Sequence, residues 1–308
     1  MKIAITGAAG FIGARLKAGL EAEGHDVAGL DLAGKTPVDI EDRDALVSAC
    51  AGCGAIYHLA AAHRDDIFPR TRYYDVNVQG TKNVIHAAEK NNISKIIFTS
   101  SFAVYGLDAK TPDENSAPAP FNDYGKSKLE AEDALKDWAA QDPARSLTIV
   151  RPVVVFGEGN RGNVYTLIRQ ISAGKFVMIG QGENRKSMAY VENVAAFLKF
   201  CLHEKPGVQI YNYADKPDYR TKELTDVVYA ALGKKKSALR LPYALGMLAG
   251  YTFDVLARIT GKSFPVSAVR VRKFCADTTS AAEKCRAAGF KPEFSLEDGI
   301  ARMIAHDF

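Results

Sequence analysis

The first thirteen residues restrict this chain more than any other stretch. Lys2-Ile3-Ala4-Ile5-Thr6 is an apolar run of strand length, and it ends in Gly7-Ala8-Ala9-Gly10-Phe11-Ile12-Gly13. Ala14 to Glu23 then has helical character, and Asp26-Val27-Ala28-Gly29-Leu30-Asp31 reads as a second strand. A strand that runs through a glycine turn straight into a helix can bring its backbone close to a phosphate. The helix start adds unpaired N–H groups and the positive end of its dipole. A lone glycine motif is weak evidence, but strand, turn, helix and strand in this order form a dinucleotide-binding βα opening.

Asp31 closes that second strand. A carboxylate there accepts hydrogen bonds from an adenosine ribose and repels a 2′-phosphate, so NAD is expected rather than NADP.

A second anchor lies downstream in Tyr124-Gly125-Lys126-Ser127-Lys128, followed by the helix formers Leu129, Glu130, Ala131, Glu132, Ala134 and Leu135. Tyr124 and Lys128 share one helix face at i and i+4. A phenol titrates near pH ~10, and a fixed cation beside it favours the phenolate, giving a general base usable near neutral pH. Alone, the pair is equally a surface helix with a tyrosine and some lysines. Upstream, Lys95-Ile96-Ile97-Phe98-Thr99-Ser100-Ser101 is a strand ending in hydroxyls.

Composition narrows the class without naming a substrate. With 308 residues, 47% hydrophobic and 25% charged, the chain has the make-up of a globular protein with a full core. A net charge of +4 does not call for nucleic acid or an anionic membrane, and Lys234-Lys235-Lys236 reads as a solvated loop. Five irregularly spaced cysteines, with Cys50-x-x-Cys53 a lone pair, suggest reduced thiols and a cytoplasmic setting. Gly7 and Gly10 interrupt the first apolar run, so no signal peptide is expected. His58 and His63 lack companions at ligand spacing, so no metal is expected. The apolar stretch 241–260 is broken by Asp254 and Arg258 and weakened by Gly246 and Gly250, which argues against a membrane span. A helix buried in a second lobe is the expectation there, with a membrane surface or a greasy substrate as alternatives.

The Gly-x-x-Gly-x-x-Gly spacing resembles the short-chain dehydrogenase/reductase superfamily, and Tyr124-x-x-x-Lys128 makes the match specific. Ser100-Ser101, then Val104-Tyr105-Gly106, a loop with Pro112, Pro118 and Pro120, and Tyr-Gly-Lys-Ser-Lys resemble its extended branch, the NAD-dependent epimerase/dehydratase family. The resemblance implies an α/β fold: a Rossmann-type doubly wound parallel sheet over residues 1–155, with some later segments returning to it. A smaller C-terminal substrate-binding lobe would take most of 156–308. It implies NAD held by Gly7, Gly10, Phe11, Ile12, Gly13 and Asp31, by Asp39 and Ile40 near adenine, and by Leu59, Ala60, Ala61, Asn77, Ser100, Pro152, Tyr124 and Lys128. Ser101, Tyr124 and Lys128 would be the catalytic group. Lys128, together with the cationic nicotinamide, would depress the tyrosine pKa. The helices after Asn77 and Tyr124 imply a homodimer, with Val78, Val84, Ile85 and Leu129 serving it or the core.

Two residues narrow the reaction. Dehydratase relatives carry Asp-Glu after the catalytic serine, decarboxylating ones a Glu at the second position, and epimerase/reductases a Cys at the first. This chain has Phe102 and Ala103, which leaves chemistry at a single carbon. The reading is an NAD-dependent nucleotide-sugar epimerase of the UDP-hexose 4-epimerase type. His63, Arg161, Arg185 and Lys186, with Arg151, are the candidate substrate residues, the cations suiting a diphosphate. Val154 departs from the asparagine common in sugar epimerases. Leu241-Pro242-Tyr243, its apolar helix, Gly261-Lys262 and Pro265 resemble 3β-hydroxysteroid dehydrogenases, which keeps an alcohol dehydrogenase as an alternative. A non-catalytic NAD-binding regulator is a third, disfavoured by the intact Tyr-x-x-x-Lys.

Overall fold

A computed structural model describes the whole chain except residues 34–36, 65–66, 108, 238 and 262–266. Lys262 and Pro265 therefore lie outside the described residues. The strands are β1 (Lys2–Thr6), β2 (Asp26–Leu30), β3 (Ala55–His58), β4 (Lys95–Thr99), β5 (Ser146–Pro152), β6 (Val154–Phe156), β7 (Met178–Ile179), β8 (Arg185–Tyr190), β9 (Gly207–Tyr213), β10 (Asp215–Arg220) and β11 (Arg240–Leu241).

Six of them form one parallel sheet in the order β2-β1-β3-β4-β5-β9. The side chains of β1 show why both faces are covered. Ile3 and Ile5 point to one face, where Leu16 and Leu20 of the first helix (Gly13–Ala22) and Val194, Phe197 and Leu198 of the helix Val191–Phe200 pack. Ala4 points to the other, against Leu46, Val84, Ala87, Leu135 and Trp138 from the helices Arg43–Ala49, Gly80–Lys90 and Asp123–Ala140. Val84 thus belongs to the core. This is the α/β, doubly wound parallel architecture expected of a Rossmann-type fold. Cys50 and Cys53 lie in the second of these cores, and burial pushes the Cys50 thiol up to about 12.

The chain divides into two compact units. The first comprises Met1–Val155, Ala189–Asp215 and Ser280–Phe294, and the second Phe156–Met188, Lys216–Thr279 and Ser295–Phe308. Three of the passages between them fall within β6, β8 and β10, the strands of a separate three-stranded sheet.

In the second unit β7 and β11 pair in parallel, and the helix Tyr243–Thr260 inverts the burial pattern of an ordinary amphipathic helix. Its buried positions are Gly246 and Gly250. A Cβ on Gly246 would stand 2.7 Å from Ile179 Cγ2, and one on Gly250 would stand 2.7 Å from the backbone of Ala268. The helix therefore approaches its neighbours through its smallest residues, and Leu245, Leu248, Tyr251, Val255 and Ile259 are exposed. The expected buried lobe helix is not what this segment forms: close backbone approach on the glycine side turns the bulky side chains outward. Among the described residues, no helix is long and apolar enough to cross a membrane.

Candidate active site

The glycine turn is built for close approach. Gly7 has φ +73, and a Cβ on it would meet Ala60 N at 2.7 Å, so the chain after β3 lies directly on the turn. A Cβ on Gly13 would stand 2.1 Å from Gly7 O, which leaves glycine as the residue that lets the first helix begin there. The helix N-cap is Ile12, which gives no side-chain acceptor, and its first turn contains no acid. Those N–H groups suit an external anion, as the diphosphate of NAD requires.

Asp31 stands beside this turn. Its Oδ2 accepts from Ala9 N at 2.9 Å and its Oδ1 from Ala33 N at 3.0 Å. Carboxylate oxygens have further lone pairs, so the same group can also accept from a ribose. Asp39 Oδ1 accepts from Glu41 N, while Ile40 is buried against Gly80 and accepts from Asn83 Nδ2 at its carbonyl. Leu59 and Ala60 follow β3 with their N–H groups on Thr6, and Ala61 and Pro152 continue and end their strands in half-buried and buried positions. Phe11 is half-buried beneath the Arg15 guanidinium. All of these residues lie on the first unit.

His58 is fully buried and held at both nitrogens. Nδ1 lies 2.7 Å from Thr6 Oγ1 and Nε2 2.9 Å from Thr81 Oγ1. Thr81 donates its own proton to Asn77 O, so His58 Nε2 must donate to Thr81 and Nδ1 must accept from Thr6. The ring is neutral, its pKa lowered to about 3 by burial and by Lys128, and neither nitrogen is open to a metal. Asn77 spends its amide on structure, bonding both the N–H and carbonyl of Ala62 and the Ser127 hydroxyl.

The helix that carries Tyr124 and Lys128 starts at Asp123 under the cap of Asn122, whose Oδ1 accepts from Gly125 N at 2.9 Å. A Cβ on Gly125 would stand 2.6 Å from Ala103 O. This close seat on the turn Phe102–Tyr105 brings Tyr124 to Ser101, and the two hydroxyls are hydrogen-bonded. Lys128, one turn on, is 1% exposed, with Nζ 4.0 Å above the Phe98 ring. Burial lowers its pKa to about 7 against the opposing pull of Glu132. Burial also raises the Tyr124 phenol, an effect the Ser101 hydrogen bond only partly offsets. In the chain alone the tyrosine is therefore not depressed as expected, because burial disfavours the charged form of both partners.

The supports of this group were not read from the sequence. Glu132 continues the spacing of Tyr124 and Lys128 to i+8 and is fully buried. Its Oε1 accepts from Ser100 Oγ at 2.5 Å and from Arg151 Nε at 2.8 Å. Arg151 also donates to Tyr105 OH at 2.6 Å, and Tyr105 donates to Asn212 Oδ1 at 2.9 Å. Arg151 is thus no diphosphate ligand: it is 2% exposed and committed to Glu132. The Ser100 hydroxyl is turned onto the same ion pair. The repeating four-residue spacing was the available signal for Glu132.

The remaining candidates belong to both units. His63 is exposed on the loop after β3, in the first unit. Arg161, Arg185 and Lys186 are in the second. Arg161 lies over the Tyr165 ring, and Arg185 donates to Asp218 O. Lys186 donates to Lys273 O at 2.9 Å and Ala276 O at 2.5 Å, closing the C-terminal end of the helix Ala268–Cys275 where a cation suits the dipole. Its expected substrate role gives way to this structural one. Burial lowers its pKa to about 8.

The family model described as the NAD dependent epimerase/dehydratase family matches residues 3–214. The chain belongs to this family. It is an NAD-dependent epimerase-type enzyme, as its motifs imply, with NAD as cofactor. This epimerase is 49% identical to the N-acetyl-α-D-glucosaminyl-diphospho-ditrans,octacis-undecaprenol 4-epimerase of Escherichia coli O157:H7, over 99% of the chain and 95% of that protein. It is 32% identical to UDP-glucose 4-epimerase of Vibrio cholerae, over 63% of the chain and 61% of that protein. In fold it matches the UDP-glucuronic acid 4-epimerase of Bacillus cereus in complex with NAD, with a TM-score of 0.78 and 21% identity over 99% and 98% of the two chains.

Proposed function

We propose that this epimerase inverts C4 of an N-acetylhexosamine joined through a diphosphate to a polyprenol. The near full-length 49% identity to the Escherichia coli enzyme carries the choice of substrate. The Ser101, Tyr124 and Lys128 arrangement supports the chemistry. Tyr124 takes the proton of the sugar 4-hydroxyl while Ser101 holds the same oxygen as it becomes a carbonyl. Bound NAD would supply a reversible hydride acceptor for C4, and hydride returned to the opposite face of the 4-keto sugar would leave it inverted with no net oxidation. Lys128, one helical turn on from Tyr124, would set positive charge on the tyrosine's face of the helix. Phe102 and Ala103 supply no further acid or base, which fits inversion without elimination or decarboxylation. Gly7, Gly10, Gly13 and Asp31 hold the cofactor. Pairing through the helices Gly80–Lys90 and Asp123–Ala140 into a cytoplasmic homodimer is part of this reading.

A nucleoside diphosphate presents the same sugar-diphosphate head, and the Vibrio cholerae relative favours it as the second reading. Purified enzyme should interconvert polyprenyl-diphospho-N-acetylglucosamine and its galacto epimer in detergent without added NAD. Equal or faster turnover of UDP-N-acetylglucosamine would assign the nucleotide sugar instead. Stoichiometric NADH release from a hydroxysteroid, with no sugar epimer formed, would assign the dehydrogenase alternative.

A further inference from the structure

The helix Tyr243–Thr260 presents an apolar face that nothing in its own unit covers. At 100° per residue, Leu245, Leu248, Val255, Leu256 and Ile259 fall on one side, and Gly246 and Gly250 on the other. Leu248 is 63% and Ile259 76% exposed. Isolated exposed leucines are ordinary, but a contiguous stripe of them along a whole helix marks an interaction surface.

Charge indicates what meets it. Residues 240–275 contain six basic side chains and one acid, Asp254. That acid is turned toward protein, its Oδ2 accepting from Ala268 N at 3.1 Å. Arg258 on this helix, and Arg270 and Arg272 on the helix Ala268–Cys275 that packs against its glycine side, are exposed. A helix pair with protruding leucine, valine and isoleucine and an excess of exposed basic side chains matches the interface of an anionic bilayer, where apolar side chains enter the acyl boundary and cations meet headgroups. A second copy of the chain would set the same cations against each other.

We propose that this face docks the enzyme on an anionic membrane surface, lying in the interface without crossing it. The proposal rests on the polyprenol-linked reading of the substrate, whose carrier is confined to a bilayer, and it names the surface from which that substrate is reached. The test is co-sedimentation of the full chain with phosphatidylcholine vesicles made with and without phosphatidylglycerol. The wild type should pellet with the anionic vesicles and be released by raised salt. The double variant Leu248→Gln/Ile259→Gln, altered only at exposed positions, should lose roughly tenfold or more of that binding, and Arg258→Gln/Arg272→Gln should lose the salt-sensitive part. Both variants should retain wild-type turnover in detergent.

Wild-type protein that stays in the supernatant, or a Leu248→Gln/Ile259→Gln variant that pellets undiminished, would overturn the proposal. A concentration-dependent dimer abolished by the same variant, without vesicle binding, would give the face to a second copy. The two readings fail separately. Vesicle binding by an enzyme inactive on the polyprenol-linked sugar removes the substrate assignment and leaves the docking face. Turnover in detergent by an enzyme that ignores vesicles does the reverse.

Discussion

Two helices of equal length, Asp123–Ala140 and Tyr243–Thr260, each 18 residues, break the rule of apolar inside and polar outside in opposite directions. The first buries Ser127, Lys128 and Glu132, and the second exposes a row of leucine, valine and isoleucine. In the first, each of these three has a partner: Ser127 with Asn77, Glu132 with Ser100 and Arg151, Lys128 with the face of Phe98. In the second, glycines draw the backbone in and the large side chains are left on the surface. An inversion of the amphipathic pattern costs stability, so where it persists a function is the natural place to look. One inversion holds chemical groups, the other a face for a partner.

The largest expected effect tests the first inversion at its chemical end. Tyr124→Phe removes only the proton-transferring oxygen, and turnover should fall about 10²–10⁴-fold with fold and NAD content unchanged. A loss under about tenfold, or ~1.4 kcal/mol in the barrier, would take the proton transfer away from Tyr124.

Glu132→Gln tests whether the buried polar face is a linked structure. It leaves the Arg151 guanidinium, 2% exposed, without its counter-charge. Urea unfolding should show a loss of about 3–5 kcal/mol. A change within ~1 kcal/mol would mean that water or Tyr105 already satisfies Arg151, and that Glu132 does not hold the strand end at Ser100.

These two expectations mark where the sequence was legible and where it was not. The glycine turn was legible because local backbone dictates it: no other residue can stand at Gly13 with Gly7 O so near. Tyr124 and Lys128 were legible because helical spacing alone puts them on one face. Glu132 shares that spacing but looked like a helix former. Arg151 and Lys186 looked like phosphate ligands, because burial and the carbonyls of another helix are tertiary facts. The helix Tyr243–Thr260 was apolar enough to be seen, but which side faces out depends on what Gly246 and Gly250 touch.

Lys128 gives the comparison a pH axis. Its pKa is lowered to about 7 in the folded chain and returns to ~10.4 on unfolding. Between these values the unfolded state binds more protons, so this group makes stability rise with pH and its penalty is complete below about pH 7. Lys128→Met should remove that slope, at most ~1.4 kcal/mol per pH unit, from unfolding followed between about pH 7 and pH 10 without cofactor. Parallel wild-type and variant profiles would mean that the ammonium is better solvated than its burial implies.

Asp31→Asn sharpens the cofactor side of the first unit. The amide keeps an acceptor for Ala9 N but removes the charge that opposes a 2′-phosphate. Calorimetry should show NAD bound more tightly than NADP by the wild type, and the gap narrowed by about tenfold, ~1.4 kcal/mol, in the variant. NADP bound better by the wild type would overturn the role of Asp31.

The smallest expected effect is the one that most directly separates the two helices. Leu135, on the helix Asp123–Ala140, is fully buried, whereas Leu248 is 63% exposed. Truncating a buried leucine to alanine typically costs about 2–5 kcal/mol, because transfer and cavity terms add. Leu248→Gln removes no packed neighbour, so unfolding should shift by no more than ~0.5 kcal/mol, and solubility should rise as the exposed stripe is interrupted. Thermal unfolding of Leu135→Ala and Leu248→Gln side by side reads the contrast directly. If Leu248→Gln proved as costly as Leu135→Ala, the side chain would be packed in solution and the face would already be covered within the enzyme. A large loss of bilayer binding from a substitution that leaves unfolding unmoved is what a surface reserved for a partner requires.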